Sequence, residues 1–168
     1  MVKETVTSID ISIAESNDGT HRYLIKKVWD VENPIVTVIT LYPTSSNYIE
    51  SDLTNYLITS NVYRLGYGGY YCTNLFSEKL VDKSNYQYAT DNVNNEIIIS
   101  CSEQSELIIL AHGSMTKKNK RVKERLNEVL TLLESKGLSH KVRQLTDLRK
   151  ADCFHPLSVK VRKHWEII

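Results

Sequence analysis

Apolar runs in this chain are of two kinds that alternate: short β-branched stretches, and longer stretches with apolar positions three and four apart. "RYLIKKVW" (Arg22 to Trp29) predicts a strand, and "IVTVITLY", between Pro34 and Pro43, predicts a second. Asp52 is placed to cap a helix through about Leu65, with Leu53, Tyr56 and Leu57 on one face, and "GYGG" (Gly66 to Gly69) ends it. "YYCTNLF" reads as the next strand. Asp91 or Asn92 starts a second helix bearing Val93, Ile97, Ile98 and Cys101, followed by the short buried strand "ELIILA" (Glu106 to Ala111). A third helix, from about Lys118, carries Val122, Leu126, Val129, Leu130 and Leu133 on one face and stops at Gly137. "HKVRQL" (His140 to Leu145) predicts a last strand. This βαβαβ order predicts an α/β fold of three layers, a central and mainly parallel sheet covered by helices on both faces.

At 168 residues the chain can bury about two-thirds of the surface its unfolded form exposes, so a single domain over residues 1–168 is expected. No repeat or low-complexity linker divides it. With 41% hydrophobic and 24% charged residues, the composition excludes an obligate membrane protein. A net charge of +1 neither requires nor excludes a nucleic-acid partner, because binding depends on where the charge lies. Cys72, Cys101 and Cys153 are odd in number and widely spaced, which excludes a disulfide framework and a CxxC metal site and fits a reduced cytoplasm. "MVKETVTSID" lacks the apolar core of an export signal, and no stretch approaches the roughly 18 apolar residues of a spanning helix. A cytoplasmic location with no membrane partner is the expectation.

Three segments place polar or turn-forming residues where strands or loops end: "LYPTSS" (Leu41 to Ser46), "TNLF" (Thr73 to Phe76) and "FHPLS" (Phe154 to Ser158). In an open α/β sheet such ends converge on one crevice. Asn74 offers an acceptor and two donors in one plane, suited to reading the edge of a pyrimidine, or equally to bonding neighbouring backbone. Phe76 could stack on a base or pack in the core. His155 precedes Pro156, so its backbone is extended on a stiff loop, where its ring could stabilise an oxyanion on a leaving group or be merely structural. Tyr42, Thr44, Ser45 and Ser46 bring hydroxyls to a turn stiffened by Pro43, able to hold a phosphate, a water or a base, or only to make the turn. His21, His112, His140 and His164 are too scattered for metal-ligand spacing, and Gly66, Gly68 and Gly69 form neither a GxGxxG nor a Walker motif. Lys117, Lys118, Lys120, Arg121, Lys123 and Arg125 are the densest basic run. It is either a solvated helix face or, near a helix N-terminus, a contact for DNA phosphates.

In order, these segments resemble a bacterial family of uncharacterised proteins with the pattern "RYxLxxxW", "LNPS", "GYGGxxxxNLF", a central glycine segment and a late "HPL". Here they stand as Arg22 to Trp29, "LYPTSS", "GYGGYYCTNLF", "AHGS" and "FHPLS". More distantly the order is similar to the uracil-DNA glycosylase superfamily. That resemblance implies a metal-free, cofactor-free enzyme that flips uracil or a related base out of single- or double-stranded DNA and hydrolyses its N-glycosidic bond. It assigns base recognition to Asn74, with Phe76, Pro43 and Thr44 around the base, and leaving-group stabilisation to His155. It assigns DNA contact to Ser45, Ser46, Pro156, Leu157 and Ser158, to which the basic run adds Lys117, Lys118 and Arg121. The first loop departs from the pattern: Tyr42 stands where the best-known glycosylases carry an aspartate, so either a backbone carbonyl or another residue such as Asp52 helps position water, or catalysis is weak. Two other functions stay open. One is a catalytically weak or inactive glycosylase-fold protein that binds DNA or a protein partner. The other is an unrelated nucleotide or small-molecule hydrolase using the same strand-end pocket.

Overall fold

The computed structural model describes residues 2–43, 51–79, 89–149 and 152–168. Among the described residues, seven strands form one sheet: β1 (Asp10–Glu15), β2 (Arg22–Val28), β3 (Ile35–Thr40), β4 (Gly69–Asn74), β5 (Leu107–Leu110), β6 (Val142–Thr146) and β7 (Glu166–Ile167), in the order β1-β2-β4-β3-β5-β6-β7. The helices are α1 (Leu53–Arg64), α2 (Asn92–Glu103), α3 (Met115–Lys118) and α4 (Lys120–Ser135).

The expected mainly parallel sheet is parallel only at its centre. Strands β4, β3, β5 and β6 pair in parallel, whereas β1 with β2, β2 with β4 and β6 with β7 are antiparallel. The short segment between β2 and β3 cannot make a right-handed crossover, so β2 runs opposite to its neighbours. That segment closes tightly on Gly68, whose carbonyl accepts from the N–H groups of Trp29 and Asp30 while its own N–H donates to the Pro34 carbonyl. A Cβ on Gly68 would lie 1.9 Å from the Asp30 carbonyl oxygen, so only glycine fits. Strands β1 and β7 carry no long apolar run and were not expected. Both are sheet-edge strands: β1 alternates, with Ile11 and Ile13 half-buried beside exposed Asp10 and Ser12, a short signal that was passed over, and β7 is two residues long.

Side-chain alternation divides the core between two faces. Val36, Val38, Tyr70, Cys72, Ile109 and Ala111 pack with Ile58 and Val62 of α1 and with Val161 and Trp165 of the C-terminal segment. Ile39, Ile108 and Leu110 pack on the other face with Ile98 of α2 and Val122, Val129 and Leu133 of α4. Both faces are therefore buried, which explains why the central strands read as nearly unbroken apolar runs.

The helix starts follow from local chemistry. Asp52 accepts from the Asn55 N–H at 2.7 Å and Asp91 from the Asn94 N–H at 3.0 Å, each satisfying one orphan donor of a first turn. The second Asp91 oxygen accepts from the Tyr23 hydroxyl at 2.8 Å, tying α2 to β2. The third predicted helix is two. Asn119 is extended (φ −129°), ends α3 and caps α4 through the Val122 N–H, so Lys118 closes a helix rather than opening one.

Arg125 leaves the basic run altogether. It is 4% exposed, its Nε donates to the Leu75 carbonyl at 2.7 Å, one Nη donates to Asn95 at 2.6 Å and the other pairs with Glu128 at 3.2 Å. It joins α4 to α2 and to the end of β4. Arg125→Ala is expected to cost about 2–3 kcal/mol in urea denaturation, because the Leu75 carbonyl loses its charged donor in a buried place and keeps only Asn94 Nδ2 at 3.3 Å. Arg121→Ala on the exposed face of the same helix should stay within about 0.5 kcal/mol. Equal costs would show that Arg125 is not a structural tie.

Candidate functional site

Strand β3 is the point at which the chain reverses its order of winding. The connection through α1 carries the chain to β4 on one side of β3, and that through α2 returns it to β5 on the other. Such a reversal leaves a crevice beyond the carboxyl ends of the two strands. A cavity of about 280 Å³ occupies it. Its walls are Leu41 and Tyr42 after β3, His112 to Met115 after β5, Thr54 in the first turn of α1, and His155 and Leu157 of the C-terminal segment.

His155 is held by its own loop. The Leu157 N–H donates to His155 Nδ1 at 3.2 Å, and the Ser158 N–H donates to the His155 carbonyl at 2.8 Å. A ring nitrogen that accepts is unprotonated, so the neutral ring carries its proton on Nε2. Burial pushes the His155 pKa down to about 4; the Asp52 carboxylate pulls it the other way and His112 adds to the depression. Gly113 makes this placement possible. Its φ is +76°, and a Cβ there would sit 3.1 Å from His155 Cβ.

His112 has the opposite tautomer. The ring is 5% exposed and its Nδ1 lies 2.8 Å from the Gly113 carbonyl oxygen, which can only accept, so Nδ1 carries the proton. Burial lowers its pKa, against the hydrogen bond to Gly113. The neutral ring presents a lone pair on Nε2.

Asp52 does not itself line the cavity, but its carboxylate lies within electrostatic reach of His155. Oδ1 accepts from the N–H and the side-chain amide of Asn55, at 2.7 and 3.1 Å. Oδ2 is buried and has no hydrogen-bond partner among the described residues. Such an oxygen needs a donor from water or a ligand. Two buried cations of β2 face the same charge: burial lowers the pKa values of Lys27 and Arg22, and Asp52 raises them. Lys27 is tied down by a 2.7 Å bond from Nζ to the Ser51 hydroxyl.

The other expected site residues separate. Asn74 pairs in register with Thr40, and both side chains point to the α1 face of the sheet, continuing the alternation of Val36, Val38, Tyr70 and Cys72. Asn74 Oδ1 accepts from Thr40 Oγ1 at 2.7 Å, Nδ2 has no partner among the described residues, and the residue does not line the cavity. Phe76 is 1% exposed and packs in the apolar cluster with Leu41 and Leu75, so its ring belongs to the core. Pro43 and Pro156 are buried, Ser158 is half-buried, and Leu157 is half-exposed at the cavity. Lys117 pairs with Asp152, while Lys118 and Arg121 are exposed away from the cavity lining. Thr44, Ser45 and Ser46 lie outside the described residues. His112 and Thr54 were not expected in the lining. The available signal for His112 was its place directly after a buried strand and before a glycine. Among the described residues, no three His, Cys, Asp or Glu side chains cluster as metal ligands, and no helix is long and apolar enough to cross a membrane.

Fold and cavity define an α/β protein with two oppositely protonated imidazoles at a strand-end crevice. The chain belongs to the family described as "Protein of unknown function (DUF1643)", whose model matches residues 22–157, from the start of β2 to Leu157 beside the cavity. Neither the curated proteins nor the solved structures include a match to it.

Because both histidines have folded pKa values below the ordinary 6.5, the unfolded chain binds more protons in the interval between folded and unfolded values. Their contribution to stability is present above pH 6.5 and is lost as the pH falls toward the His155 value of about 4. The slope approaches about 1.4 kcal/mol per pH unit for His155, and His112 adds to it in the same direction. Urea denaturation across this range should show stability falling with acid, less steeply in His155→Asn; an identical slope in that variant would reject a half-buried, neutral His155.

Proposed function

We propose that the cavity is a nucleobase site at which an N-glycosidic bond is hydrolysed, with uracil in DNA as the first substrate to test. The observation that carries this reading is a neutral His155, its proton on Nε2, at a strand-end cavity beside a carboxylate with a buried unpartnered oxygen. Neutral imidazole is the suitable species, since it donates to a developing anion without being consumed as an acid.

As the bond between the sugar C1′ and the base nitrogen breaks, its electron pair leaves with the base and charge gathers on a carbonyl oxygen, to which His155 Nε2–H donates. The sugar becomes cationic. Asp52 stabilises that cation and holds the attacking water through Oδ2; water oxygen bonds to C1′, and the proton released passes through the carboxylate to the departing base. Asp52 thus takes the role that Tyr42 cannot fill. Asn74, buried and bonded to Thr40 outside the cavity lining, makes no contact with the base in this scheme. Leu157 is the residue that enters the space a flipped nucleotide vacates, and Lys118 and Arg121 meet phosphates. The three-layer, glycosylase-like arrangement expected from the sequence belongs to this proposal.

A labelled uracil-containing oligonucleotide incubated with the protein and then treated with alkali should break at the uracil. Binding without scission would leave a base-binding protein, the alternative that Tyr42 favours. Asp52→Asn keeps an equally good helix cap and removes the charge, so turnover should fall about 100-fold with stability nearly unchanged. His155→Ala should fall by about 100- to 1000-fold. Tyr42→Phe is expected within a few-fold of wild type; a loss matching that of Asp52→Asn would return the water-positioning role to the phenol.

Replacing Lys118 and Arg121 with alanine should weaken DNA binding and lower the slope of log K against log salt by about two, with the saturated rate unchanged. An unaltered slope would make that face bystander surface.

A further inference from the structure

We infer that His112 is the hydrogen-bond acceptor that restricts this site to lactam bases, those with a carbonyl next to an N–H. The inference rests on the nucleobase reading above and deepens it by naming the base class. His112 follows β5 directly and forms part of the cavity wall, 5% exposed. Its Nδ1–H is held by the Gly113 carbonyl at 2.8 Å, so Nε2 is left with a lone pair, and Nε2 has no partner among the described residues. Nε2 is not one of the fully buried atoms without a partner, so it is open to the cavity, where a ligand N–H can reach it and a base that covers it without donating leaves it unpaired.

His155, in the same wall, is its complement. Its Nδ1 accepts from the Leu157 N–H, so its Nε2 donates. Burial keeps both rings neutral, and His112 adds a smaller opposition to charge on His155. One cavity therefore offers a donor and an acceptor whose protonation is set by backbone groups, not by the ligand. Asn74 is poorly placed to be the acceptor, because its Oδ1 already accepts from Thr40 at 2.7 Å.

A lactam edge satisfies both rings: the carbonyl takes the His155 proton and the adjacent N–H donates to His112. Uracil, thymine, hypoxanthine and guanine carry such an edge. Cytosine sets a lone pair beside its carbonyl, which would face the His112 lone pair, and adenine has no carbonyl. Rejection of those two bases comes from repulsion between lone pairs and from an acceptor left unpaired once the base covers it, a stronger discriminator than pocket size.

The test uses wild-type protein with ¹⁵N-labelled histidine and three probes: 1-methyluracil, 1,3-dimethyluracil and 1-methylcytosine. 1-Methyluracil keeps the lactam N–H and should shift the His112 Nε2 resonance. 1,3-Dimethyluracil, which lacks that N–H, and 1-methylcytosine should bind at least about tenfold more weakly and leave His112 Nε2 unshifted. His112→Phe should lose about the same factor for 1-methyluracil only, and His112→Gln, whose carbonyl can accept, should recover part of it. If His112→Phe fails to fold, the comparison of probes on the wild-type protein decides alone. Equal binding of 1-methyluracil and 1,3-dimethyluracil overturns the inference, as does failure of 1-methyluracil to bind. Excision is scored separately. Intact uracil-DNA with a shifted His112 would remove the hydrolytic function and keep the lactam site. Scission with equal probe binding would do the reverse.

Discussion

Strand β3 is hydrogen-bonded along both edges to parallel partners, and the rest of the structure depends on that constraint. Parallel neighbours on both sides require long crossovers, so α1 and α2 must pass over opposite faces of the sheet. The carboxyl end of β3 is then left uncovered between two diverging connections. Tyr42 and His112, far apart in sequence, share a cavity for this reason alone. The C-terminal segment completes it: Val161 and Trp165 are buried against the α1 side of the core, which anchors the short loop bearing His155 and Leu157.

Within the crevice, desolvation outweighs charge attraction. Asp52 draws the His155 pKa upward, yet burial carries it down to about 4, so the ring is neutral throughout the physiological range. Each imidazole is then assigned its tautomer by a backbone group, a Leu157 N–H in one case and a Gly113 carbonyl in the other. Asp52 meanwhile serves two ends, since one oxygen caps α1 and the other stays open. A helix cap is a stable way to hold a carboxylate at a site, because the first-turn N–H groups orient it and favour its charge. The nearby Lys27 and Arg22 offset that charge inside the protein.

The elements legible in the sequence are those whose cause is local. Asp52 and Asp91 cap helices through bonds three residues on, and the apolar runs of β3, β4 and β5 are buried on both sides, so their sequence carries the signal directly. The break at Asn119 was hidden because the apolar spacing of α4 begins only after it and the lysines on either side suit a helix. Edge strand β1 carried a short alternation at Ile11 and Ile13 that was passed over, and β7, two residues long, carried none. Among site residues, His155 stood out through the proline that follows it and lies in the cavity. Phe76, attractive as a stacking ring, is core, because Leu41 and Leu75 reach it from adjacent strand ends. Arg125 was indistinguishable from its basic neighbours until α2 and the end of β4 supplied two of its three partners, Asn95 and Leu75, beside Glu128 on its own helix.

The sequence by itself determined the alternation of strands and helices, the two aspartate caps and a stiff loop holding a histidine, because each rests on forces acting within a few residues. Only the tertiary structure decided that the outer strands run antiparallel, that Asp52 lies within reach of His155, and that His112 is a cavity residue rather than a stray imidazole. Those outcomes depend on which surfaces meet across the sheet and on how much water is removed when they do. Burial of that kind is a property of the packed chain, and no spacing of residues records it.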